Sequence, residues 1–88
     1  MKFPKTIKVS GQTYSIYIID SLADCGSTTF NTQKILINGN QSESRKQTAL
    51  VHEVLEILNE TYDLNLPHQT IQTLEAGIYQ IIVDNKLN

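Results

Sequence analysis
Within TALVHEVLEIL, residues 48 to 58, one imidazole and two carboxylates, His52, Glu53 and Glu56, stand in a short apolar-rich segment. On a helix turning ~100° per residue, positions four apart lie one above the other, so His52 and Glu56 stack on one face, with Glu53 about a quarter-turn away. This spacing lets two side chains of one helix converge on a metal ion. In metal hydrolases with HExxH, the residue after the first His is placed to take a proton from metal-bound water. The same residues also make an ordinary polar helix side, because Leu50, Val51, Val54, Leu55, Leu58 and Tyr62 gather on the other side with Ile57 at its edge. HEVLE lacks the second His that makes HExxH informative, so a further ligand must come from elsewhere.

A second polar stripe offers one. His68, Gln72, Glu75 and Tyr79 recur at helical spacing beside an apolar face made by Ile71, Leu74, Ile78, Ile81 and Ile82. If the two helices pack antiparallel after the short loop 63 to 66, this stripe faces the neighbouring helix, where an unpaired carboxylate is costly without a cation or donor. Glu75 is then either a ligand or a partner of Tyr79 or His68 within its own helix. His68 adds a second imidazole if its helix start lies close to His52, and is otherwise a helix-start residue near solvent.

The elements that must position these residues are legible as strands followed by helices. KTIKVS and TYSIYIID read as a hairpin over Gly11-Gln12, a two-residue type II′ loop, with Ile7 and Val9 on one face and Tyr14, Ile16 and Ile18 on another. Residues 20 to 28 form a polar, turn-rich connection. A second strand pair follows, roughly Thr28 to Phe30 and Lys34 to Asn38, around Asn31-Thr32, and Asn38-Gly39-Asn40 ends the strand region. A helix over about 43 to 62 starts at Ser42 or Ser44, with Ser44-x-x-Gln47 in the form of a capping box. Pro67 suits the first turn of a second helix running to about 84. The expected fold is α+β, ββββαα, with a small antiparallel sheet and two packed helices sharing one core.

Composition limits what this frame can be. Eighty-eight residues make one domain, spanning 1–88, and 40% hydrophobic with 18% charged residues describes a globular chain with an aliphatic core. The single cysteine, Cys25, excludes an internal disulfide framework and a Cys-based zinc cluster, and suggests a reducing, cytoplasmic setting. As a nucleophile Cys25 lacks a nearby His in sequence, and an unremarkable loop thiol is the simpler reading. No run approaches the ~20 apolar residues of a membrane span. Residues 1 to 46 carry six Lys/Arg against three Asp/Glu, and residues 47 to 88 carry one against six. An acidic second half argues against a nucleic-acid surface and suits either a cation site or a solvated acidic face. Lys2, Lys5 and Lys8 read as a solvated strand face, and Gly39-Asn40-Gln41 lacks phosphate-loop spacing.

TALVHEVLEIL after a strand pair, together with LPHQTIQTLEAGIYQIIVDN at the end, resembles small phage and prophage proteins of the minimal gluzincin type, one-domain relatives of zincin-like metallopeptidases. The resemblance covers about residues 7 to 85. It implies a divalent metal, zinc by preference, held by His52, Glu56 and Glu75, with Glu53 as general base and His68 or Tyr79 as a further ligand or oxyanion support. Glu56 stands where the pattern has a second His, which makes the set harder and more anionic. The substrate expected is an extended peptide lying against the edge strand near Lys34 to Asn38. Two functional classes follow from the resemblance: a metal-dependent, peptidase-like hydrolase, or a degenerate zincin-like scaffold that binds a host or phage protein without turnover. A third is a small α+β protein alike by chance.

Overall fold
The computed structural model describes residues 3–87. Four strands precede two helices: β1 (Thr6–Val9), β2 (Gln12–Ile19), β3 (Gly26–Thr29), β4 (Lys34–Asn38), α1 (Glu43–Thr61) and α2 (His68–Asp84). This is the α+β, ββββαα arrangement. Lys2 lies outside the described residues; Lys5 and Lys8 are exposed.

The sheet order is β1-β2-β4-β3. The hairpins β1–β2 and β3–β4 are antiparallel, but β2 and β4 run parallel, with Ile16 opposite Ile35 and Ile18 opposite Ile37. The sheet is therefore mixed rather than wholly antiparallel. Burial explains the order: β4 carries Ile35 and Ile37, both fully buried, whereas β3 is short and polar and suits a sheet edge. Placing β3 outermost makes it the crossover that brings β4 alongside β2. The edge expected at Lys34 to Asn38 is thus internal, and the open edge on that side is β3.

Local details follow backbone chemistry. The first hairpin turns at Ser10-Gly11 rather than Gly11-Gln12, and both have positive φ, 52° and 82°, as in a type I′ loop. β3 begins at Gly26 and ends before Phe30, because the turn reaches back to Phe30, whose carbonyl accepts from Gln33 N–H at 3.3 Å. Ser42, not Ser44, caps α1, its hydroxyl accepting from Arg45 N–H at 3.3 Å. Pro67 sits at the N-cap of α2.

The core joins Val9, Tyr14, Ile16, Ile35, Ile37, Ala49, Leu50 and Ile57, with Phe3, Ile7, Val54 and Leu58 packed against it. It is aliphatic around one tyrosine. Ile18, grouped by alternation with Tyr14 and Ile16, is 45% exposed at the far end of its strand. α1 packs against β1, β3 and β4 on one side and α2 on another, while among the described residues α2 packs on α1 alone. A helix covered twice buries more than one stripe. Ile57, expected at the edge of the apolar face, is fully buried, and Tyr62, expected within it, is 58% exposed past the last turn. Among the described residues no helix is long and apolar enough to cross a membrane.

Candidate functional site
The two covered sides of α1 carry the residues that bear chemistry. On the sheet side Glu53 is buried, 6% exposed. Thr28 Oγ1 on β3 donates to Glu53 Oε1 at 2.7 Å. Gly26, two residues earlier, makes that approach feasible: a Cβ there would meet Glu53 Cγ and Oε2 at 3.3 Å and the Leu36 carbonyl oxygen at 3.1 Å. Burial pushes the Glu53 carboxyl above the ordinary carboxylate value; the Thr28 hydroxyl and His52 pull it down, and Glu56 and Glu75 push it further up. The polar helix side expected from HEVLE is therefore not simply solvated, since one of its carboxyls faces the sheet.

On the α2 side, His52 Nδ1 lies 2.6 Å from Glu75 Oε1, and both side chains are 18% exposed. A carboxylate only accepts, so its partner Nδ1 carries the hydrogen and Nε2 is the ring nitrogen left for other contacts. About one turn further along the antiparallel pair, Tyr79 reaches Gln47, its hydroxyl donating to Gln47 Oε1 at 2.7 Å. The stripe of α2 thus faces α1, and Glu75 finds its partner across the helix pair rather than within its own helix. The His68 side chain, although exposed, sets its ring edge-on to His52 with centroids 5.3 Å apart.

These groups surround a cleft of about 400 Å³ whose wall includes Asp24, Cys25, Arg45, His52, Glu53, His68 and Glu75. Of the residues singled out in the sequence, His52, Glu53, Glu75 and His68 share this wall. Glu56 and Tyr79 are not part of it: Glu56 is half-buried one turn further along α1, and Tyr79 is engaged with Gln47. The loop before β3 supplies Asp24 and Cys25. It is held by Asn38 Nδ2 donating to the Leu22 carbonyl at 3.1 Å and Gln41 Nε2 donating to the Cys25 carbonyl at 3.0 Å. Asp24, Arg45 and Thr28 carried no motif signal; only the pairing of β3 with β4 and the approach of α1 bring them in.

The donor types here, two imidazoles and a carboxylate beside a buried Glu, are ones that bind divalent metals. Among the described residues no group of three or more His, Cys, Asp and Glu is arranged to hold a metal ion. His52 and Glu75 satisfy each other directly, and Glu53 is satisfied by Thr28. Comparison with family models, with curated proteins and with solved structures finds no match to this chain.

Proposed function
We propose that this domain is a zincin-like scaffold that binds an extended peptide or protein segment in the cleft between the β3 edge and the helix pair, without turnover. The observation that carries this reading is the mutual satisfaction of the site's polar groups, His52 with Glu75 and Glu53 with Thr28, around a roomy cleft beside an open strand edge. A strand edge supplies main-chain donors and acceptors to an extended ligand, and the cleft supplies a place for its side chains. The resemblance to small phage and prophage proteins supports a phage or host protein as the partner, in the cytoplasm, where Cys25 stays a free thiol.

The experiment is incubation of the purified protein with a mixed library of short peptides, with mass spectrometry reading both retained and cleaved species. Retention without cleavage, reduced in a Glu75→Gln variant, is the expected result; failure to retain any peptide overturns the reading.

One observation favours hydrolysis in the same cleft. Burial pushes the Glu53 carboxyl above the ordinary carboxylate value, the direction that makes a carboxylate a stronger general base. In this reading the domain is a metal-dependent, peptidase-like hydrolase. The set implied by resemblance, His52, Glu56 and Glu75 with zinc, is tested by elemental analysis of untagged protein beside His52→Ala. Stoichiometric transition metal in the first and not the second supports it, and none in either sinks it. Glu53→Gln should then abolish cleavage while metal content stays unchanged.

A further inference from the structure
Resting on the reading of the cleft as a peptide site, we infer that Arg45 is its specificity element and recognises a carboxylate of the bound peptide. Arg45 occupies the first turn of α1 and lines the cleft on the same helix face as Thr48 and His52. Its neighbour Lys46 is paired with Glu43 at 2.6 Å. The Arg45 guanidinium has no hydrogen bond or ion pair among the described residues, while Glu53 and Glu75 in the same wall are held by Thr28 and His52. Asp24, the remaining carboxylate of the wall, is exposed and makes no ion pair among the described residues.

Among the described residues that line the cleft, Arg45 is the single permanent cation, and its planar fork matches a carboxylate in two parallel hydrogen bonds. Seven residues separate Arg45 from His52, a rise of about 10 Å along the helix. An extended chain covers that distance in about three residues. A peptide anchored by its carboxylate at Arg45 therefore runs its adjacent peptide bonds past His52, Glu75 and Glu53. That carboxylate is either the C-terminus or an acidic side chain near it, and both present the same two oxygens.

The test uses three probes on isotope-labelled full-length protein, followed by NMR at millimolar concentration: N-acetyl tetra-alanine with a free C-terminus, its C-terminal amide, and the amide with a terminal glutamate. The free acid should shift signals of the cleft and bind about five- to tenfold more tightly than the plain amide. Recovery of that affinity by the glutamate amide assigns recognition to any carboxylate, and its failure assigns it to the C-terminus. Arg45→Gln should remove the difference between acid and amide, and Arg45→Lys should restore part of it. Arg45 is exposed, so both variants should keep the parent's dispersed spectrum. Equal binding of acid and amide, or an acid preference that survives in Arg45→Gln, overturns the role of Arg45 while leaving the peptide cleft in place. No cleft response to any of the three probes overturns both.

Discussion

Glu53 is the residue on which sequence and surroundings interact most. Its position after His52 marks it in the sequence, but it is chiefly burial against β3, with Glu56 and Glu75 adding to it, that raises its carboxyl above the usual value of 4.5. Because the folded-state value lies above the unfolded one, Glu53 favours folding fully below about pH 4.5, and that contribution is lost as pH rises through the folded value. Glu53→Gln should therefore stabilise the protein at neutral pH, since the amide oxygen still accepts from Thr28 and no buried charge remains. The gain should shrink as pH falls toward 4.5, as thermal melts of both proteins between pH 4 and 8 would show. An unchanged difference across that range would mean that Glu53 is not the titrating group. His52 and Glu75 act differently, as a pair shielded on both sides, where removal of one partner strands the other. Glu75→Ala should cost more than loss of an exposed ion pair, about 1 to 3 kcal/mol, measured by urea denaturation.

At the scale of elements, the site is a joint between three pieces: β3, α1 and α2. The β3 contact depends on Gly26, because a Cβ there meets a backbone oxygen at 3.1 Å and the Glu53 side chain at 3.3 Å. Gly26→Ala should destabilise by about 1 to 2 kcal/mol, with a smaller cost in a Glu53→Ala background. Equal costs in both backgrounds would show that the Glu53 contact is irrelevant. Polar contacts of the helix joint include His52 with Glu75 and Gln47 with Tyr79. Among the described residues α2 packs on α1 alone, and Ile71 is its one buried residue. Its attachment therefore depends on these contacts more than the sheet does. Tyr79→Phe should cost about 1 kcal/mol and raise hydrogen exchange in α2 before it does so in β2 or β4.

The whole molecule depends on one thin core in which α1 is the middle layer. Ile57 is fully buried with Ile35 and Ile37, so Ile57→Ala should cost about 2 to 5 kcal/mol, a large part of the stability of a domain this size. Chemical denaturation would register it as a lower midpoint with an unchanged slope. Two-sided burial of α1 also explains which parts of the site could be read in the chain. Helical spacing placed His52 above Glu56 and Glu75 on the stripe of α2. It could not say that His52 turns toward Glu75 and Glu53 toward Thr28, since those directions depend on which layers cover the helix.

The sequence by itself determined the order of elements, the aliphatic core and the two helical stripes. Each is written in local periodicity, turn chemistry and composition, which act over a few residues. Strand order was decided only in three dimensions. Hydrophobic alternation marks β4 as a strand without naming its neighbours, and its burial between β2 and β3 moved the open edge to Gly26–Thr29. The partners of the candidate site were decided there too. Arg45 and Asp24 lie far from Glu75 along the chain, and only the packing of sheet, α1 and α2 gathers them around one cleft, with Thr28 holding Glu53 behind its wall. The physical reason is range: periodicity acts within an element, whereas the pairing of buried polar groups depends on contacts between residues more than twenty positions apart, such as Thr28 with Glu53 and His52 with Glu75.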